Sequence, residues 1–138
     1  MIILDTNVFS EFTRPRPSEQ VQAWFASRDP ADLATTTVTE GELLYGVQLF
    51  PEGRRKIETA RAYDVLFGLL GGGIHAFDRE AAHEFAFVAA RRNRAGLKAD
   101  FADCQIAAIA RVLGASVATR NVDDFLHAGI EVVDPWTA

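Results

Sequence analysis

A single cysteine, Cys104, rules out an internal disulfide, and nothing in the thiol content calls for an oxidising compartment. Its neighbours from Ala102 to Ala110 read as a helix core, which suits a buried structural thiol better than a nucleophile. Long apolar runs are also missing. The greasiest stretch, Val65 to Leu70, is cut off by Gly71-Gly72-Gly73 and is far too short to span a bilayer. No basic, apolar, small-residue leader opens the chain, so a cytoplasmic protein is expected. Basic residues are in deficit, with a formal net charge of −5, which argues against a general nucleic-acid binder but not against an enzyme that meets phosphates through metal ions. His75, His83 and His127 show no metal-ligand spacing and read as ordinary surface or core histidines. There is no internal repeat, linker or composition shift, so residues 1–138 read as one domain.

What the chain does have is an alternation of short apolar strands and amphipathic helices. Ile2 to Leu4 is hydrophobic on both faces, as a central parallel strand should be, and stops at Asp5. Ser18 can cap a helix carrying Val21, Trp24 and Phe25. Leu33 to Val38 is β-branched and strand-like, and a helix follows from about Thr39 to Phe50 with Leu43, Leu44 and Val47 on one side. Trp24, Phe25 and Tyr45 are expected to serve packing. A longer helix runs from about Arg54 to Leu70, then a strand from Ile74 to Phe77. Asp78 and Asp100 are placed to cap two further helices, the second closing at Gly114. Ala115 to Thr119 and Ile130 to Val133 complete the strands, with a helical turn from Asn121 to Phe125 between them. This order predicts a three-layer α/β/α domain around a parallel sheet of four to five strands.

In such a sheet, helix N-termini and strand C-termini share one edge, where open α/β folds bind ligands. Asp5, Glu42, Asp103 and Asp124 all fall on that edge. Two like charges about 4 Å apart cost roughly 4 kcal/mol at an effective dielectric near 20, while a helix N-terminus returns only about 0.3–1 kcal/mol. A tight cluster of these acids therefore calls for a divalent cation or a proton. Oxygen ligands without matching Cys or His favour Mg²⁺ or Mn²⁺, ions that activate water and offset charge on a phosphate. Structural roles compete at several positions. Asp5 can be a helix cap, Thr39 with Glu42 and Thr37 with Glu40 can be capping boxes, and Asn121 with Asp124 is cap-like. Asp103 shares a helical face with Ile106, Ala107 and Ala110, where an acid needs a cation or several donors. Asn7 can either orient Asp5 or satisfy backbone groups.

Leu4-Asp5-Thr6-Asn7, Thr39-Glu-Gly-Glu42-Leu-Leu-Tyr-Gly46, Asp103-Cys-Gln-Ile-Ala-Ala108, Ala118-Thr-Arg-Asn121 with Asp124-Phe125, and Val133-Asp-Pro-Trp136 together resemble PIN-domain toxins of the VapC type. The opening and closing segments look most like the FitB branch, and the likeness spans nearly the whole chain. The resemblance implies a metal-dependent endoribonuclease, the toxin of a toxin–antitoxin pair. It also implies a homodimer and a VapB-like antitoxin that covers the site. It makes Asp5 and Asp103 the principal metal ligands and Glu42 a third acid. The family's fourth acidic position appears here as Asn121, with Asp124 placed to compensate. One firmly held ion, with a second arriving with substrate, is the expectation.

Arg91, Arg92, Arg94 and Lys98 form a basic cluster just before Asp100 and Asp103, which reads either as a solvated helix end or as a phosphate track for RNA. Arg54, Arg55, Lys56 and Arg61 read as a solvated face, and the helices from Thr39 to Leu70 offer apolar surface for a dimer or antitoxin. Two other readings compete. A receiver-like signalling domain would need a phosphoacceptor Asp ending the third strand and a Lys ending the fifth, and no such Lys exists. A catalytically weak PIN-fold module that regulates through its partner is kept open by Asn121.

Overall fold

The structure, a computed structural model, describes residues 1–138. In chain order it runs β1 (Ile2–Leu4), α1 (Thr6–Phe12), α2 (Glu19–Ala26), β2 (Leu33–Thr36), α3 (Thr37–Gln48), α4 (Arg54–Leu69), β3 (Ile74–His75), α5 (Arg79–Arg94), α6 (Phe101–Leu113), β4 (Ser116–Ala118) and β5 (Val132–Val133). Short 3₁₀ turns lie at Pro30–Asp32 and Val122–Phe125. All strand pairs are parallel, in the order β3-β2-β1-β4-β5. That order puts β1 at the centre and the switch in winding direction between β1 and β4, where such sheets open a crevice beyond the strand ends. It also differs from the 2-1-3-4-5 order of receiver-type folds, so that alternative falls.

The three layers follow from the two-residue alternation of the strands. Ile3 and Val117 join Val88, Cys104, Ile106, Ala107, Ala110 and Phe125 in a core beneath α5 and α6. Leu4 and Ala118 join Val8, Phe9, Trp24, Leu43, Val47, Tyr63 and Leu66 in a second core beneath α1 to α4. No helix is long and apolar enough to cross a membrane.

Ser18, Asp78 and Asp100 cap their helices through side-chain oxygens that accept from the amides of Val21, Ala81 and Asp103. Gly114 closes α6 at φ 64°, the left-handed region that favours glycine. Gly72 lies where a Cβ would stand 2.7 Å from the Leu33 carbonyl oxygen, which lets the glycine strap pass against β2.

Several boundaries differ from the sequence expectation. Helix α3 begins at Thr37, because Thr36 is extended and its hydroxyl accepts from the Thr39 amide. Strand β2 therefore ends at Thr36, and neither capping box forms: Thr37 and Thr39 are already inside the helix, which frees Glu42 on its second turn. Strands β3 and β5 keep only two residues each. Leu44 and Tyr45 are not packing residues, since both are exposed while Leu43 and Val47 are buried. An apolar residue two positions from another along a helix falls on a different face.

Candidate active site

Asp5 follows β1 directly and caps α1. Its Oδ1 accepts from the Thr6 amide at 2.8 Å, and its Oδ2 accepts from the Thr119 hydroxyl at 2.8 Å and the Asn7 side-chain amide at 3.3 Å. The Asp5 amide donates to the Ala118 carbonyl, so β1 and β4 end together at the switch point. Thr119 accepts in turn from Asn7 Nδ2 and from the Asn121 amide, both at 3.1 Å. Asn7 does both things open to it, orienting Asp5 and accepting from the Arg120 amide at 3.1 Å.

The other acids arrive from separate elements. Asp103 sits in the first turn of α6, its amide held by the Asp100 cap at 3.1 Å. Glu42 lies on α3 and accepts from the Thr6 hydroxyl at 2.9 Å. Asp124 is exposed on the 3₁₀ turn after β4, beside Asn121, whose side chain makes no capping hydrogen bond. The Asn121–Asp124 pair is therefore not a side-chain cap.

Electrostatics ties these groups together. Burial pushes the Asp5 carboxyl above the ordinary range; the Thr119 and Thr6 hydrogen bonds oppose this, and the charges of Glu42 and Asp124 add to it. Asp103 is pushed up to about 7, first by burial and then by the charges of Asp5, Asp100, Asp124 and Glu42. No ion pair relieves this charge. The four salt bridges of the molecule are Arg14–Glu11, Arg54–Glu58, Lys56–Glu52 and Arg111–Glu84. An uncompensated acidic rim of hard oxygen donors suits a divalent cation. No three Asp, Glu, His or Cys side chains close tightly enough to enclose an ion by themselves. An ion held by these acids would have to complete its coordination with water or substrate.

The basic cluster divides. Arg91, Arg94 and Lys98 are exposed, but Arg92 is only 4% exposed. Its guanidinium donates to the carbonyls of Lys98 at 2.9 Å, Asp123 at 3.2 Å and Leu126 at 2.6 Å. With its donors turned to backbone, Arg92 is withdrawn from the expected phosphate track. It ties the loop before α6 to the turn carrying Asp124. Arg54 and Lys56 pair with Glu58 and Glu52, as a solvated face should. Buried Cys104 has its thiol pushed up by desolvation, away from nucleophilic chemistry.

Sequence reading missed Thr119 as a supporting residue and gave Arg92 a surface role in place of the buried one it has. Thr119 carried a usable signal, since a polar residue that ends a buried strand needs a partner at the same edge. A larger cleft of about 540 Å³ opens at the opposite end of the sheet, near Met1, Ser116 and the Glu84–Arg111 pair, and lies away from the acids.

Comparison with known proteins agrees with this geometry. The PIN domain family matches residues 2–131. Toxin FitB of Neisseria gonorrhoeae is 36% identical over 137 residues, covering 99% of both chains. The VapC ribonuclease Y4jK of Sinorhizobium fredii is 34% identical, covering 99% of this chain and 98% of that protein. The crystal structure of FitAcB from N. gonorrhoeae superposes with a TM-score of 0.92 at 36% identity, covering both chains completely. With the sheet order, the acidic rim and these relatives in agreement, the chain belongs to the PIN-domain family, among its VapC- and FitB-type toxins.

Proposed function

We propose that this protein is a Mg²⁺- or Mn²⁺-dependent endoribonuclease that acts, over residues 1–138, as the toxin of a toxin–antitoxin pair in the cytoplasm. The observation that carries the reading is the convergence of four acids from separate elements at the β1–β4 switch point, where burial and the charges of Glu42 and Asp124 raise the Asp5 and Asp103 carboxyls and no basic partner offsets them. Relatives that carry the names ribonuclease and toxin support it.

Asp5 and Asp103 are the residues to hold an ion, with Glu42 as a third acid and Asp124 and the free amide of Asn121 as further oxygen donors. A bound divalent ion supplies activation of water and neutralisation of charge on the phosphodiester. Thr119, Asn7 and the Thr6 amide fix the Asp5 carboxylate, and Thr6 steadies Glu42. Exposed Arg91, Arg94 and Lys98 attract the RNA backbone. A VapB-like antitoxin and a second copy of the chain are the proposed protein partners.

Asp5→Asn and Asp103→Asn are each expected to abolish cleavage of single-stranded RNA in Mn²⁺ while thermal unfolding stays cooperative. Full activity in either variant would remove the assignment.

Asn121 and the lack of a closed three-ligand set favour a second reading, a PIN-fold module that regulates through its partner without hydrolysis. Calorimetry with Mn²⁺ on the wild type and Asp5→Ala separates the two. Heat that vanishes in the variant supports the nuclease, and no heat in either supports the binding module.

A further inference from the structure

Arg120 follows Thr119, the residue that holds Asp5, and its own amide is fixed by Asn7, which also holds Asp5. Its backbone is therefore locked to the acidic site, yet its side chain is exposed and takes part in no ion pair or hydrogen bond. The guanidinium lies over the Trp136 indole, 5.3 Å from the ring centroid. Trp136 is itself anchored, its indole N–H donating to buried Glu11 at 3.3 Å and its backbone amide to Asp134 at 2.9 Å. A cleft of about 410 Å³ opens here, lined by Arg120, Asn121, Val122, Asp123, Asp124 and Asp134. Arg120 is the only cation on its walls.

We propose that Arg120, pre-set on the face of Trp136, forms a subsite for the RNA phosphate next to the one that is cleaved. This rests on the nuclease reading above. An RNA strand that brings one phosphate to Asp5 and Asp103 must carry its neighbours past carboxylates that repel them, and this cleft offers a single opposing charge. Stacking on an aromatic face leaves the edge of the guanidinium plane free, and its planar fork matches two phosphate oxygens in a way an ammonium does not. Trp136 and Glu11 are positioning residues that act through Arg120. Arg91, Arg94 and Lys98, on the last turn of α5 and in the loop after it, do not line this cleft.

The test is binding of a short single-stranded RNA to the Asp103→Asn protein in Mg²⁺, with cleavage removed, across a salt series. Adding Arg120→Ala should weaken binding severalfold and lower the slope of log K against log salt by about 0.7, one phosphate's worth for single strands. Arg120→Lys should restore the slope but not the full affinity. Trp136→Leu should weaken affinity while leaving the slope, since the charge remains. In the otherwise wild-type enzyme, Arg120→Ala should raise KM more than it lowers kcat. An unchanged slope in Arg120→Ala, even with weaker binding, overturns the subsite while the nuclease reading stands. A wild type that neither binds nor cleaves RNA overturns both.

Discussion

The hydroxyl of Thr119 is fully engaged, donating to Asp5 and accepting from Asn7 and from the Asn121 amide. Thr119→Val keeps the shape and removes all three contacts, leaving the buried Asp5 Oδ2 with Asn7 alone. An unpartnered buried polar group costs about 1–3 kcal/mol, so urea unfolding should show a loss of that size, and RNA cleavage should fall with it. A variant as stable as the wild type would mean that Asp5 needs no such support. Asp103 makes a prediction of opposite character. Its carboxyl titrates near 7 in the folded chain against 3.8 for the unperturbed group, so between these values the folded state holds the extra proton. Stability from this group is therefore complete below about 3.8, falls as pH rises and is gone above about 7. Metal-free protein should show a lower Tm at pH 8 than at pH 5, and Asp103→Asn should flatten that difference. Mn²⁺ should raise Tm strongly at pH 8 and weakly at pH 5, where protons compete for the same oxygens. Equal Mn²⁺ stabilisation at both pH values would contradict the raised Asp103 carboxyl.

The corner between α5 and α6 shows what an element can hide from its own sequence. Arg92 sits in a run of like charges that looks like a solvated helix end, yet it is buried because the loop directly after α5 and the distant turn after β4 both fold carbonyls onto it. Arg92→Ala should cost about 3 kcal/mol or more by urea unfolding, since it strips three carbonyls of a charged donor. Arg94→Ala should stay within about 0.5 kcal/mol, as exposed substitutions do, and should weaken RNA binding instead. Equal stabilities for the two variants would return Arg92 to the phosphate track. The contrast marks the limit of sequence reading in this protein. Ser18, Asp78 and Asp100 were legible as caps because a cap and its amide lie within three residues. Asp5 was legible because a charge that ends an all-apolar strand must find its partners at the sheet edge. The α3 start was not, since Thr35, Thr36, Thr37 and Thr39 all carry the same hydroxyl and only strand geometry selects Thr36. Thr119 showed only that it needs a partner at the sheet edge and not that the partner is Asp5, 114 residues away, and no local pattern encodes the bond from Arg92 to Asp123, 31 residues on.

Across the whole molecule, the sheet buries its strands from both sides, yet α3 and α4 leave a set of large apolar side chains exposed among their charged ones. Leu44, Tyr45, Leu49, Ile57, Val65 and Leu69 are exposed there, Tyr45 at 67% and Val65 at 64%. This surface lies outside the second core, which is already closed by Leu43, Val47, Tyr63 and Leu66 from the same two helices. Helical periodicity could not separate the two uses, because one apolar set packs inward and the other is left over. Large exposed apolar side chains grouped on adjacent helices mark association surfaces, which fits the proposed second copy or antitoxin. Tyr45→Glu combined with Val65→Glu places charge on that face without touching the core. Light scattering should show the wild type as a dimer and the double variant shifted to monomer, with a nearly unchanged Tm and an intact Mn²⁺ heat. If the variant stays dimeric, the copies meet elsewhere, and this face is left for the antitoxin. If it also fails to bind a VapB-like partner expressed alongside it, both occupants share α3 and α4.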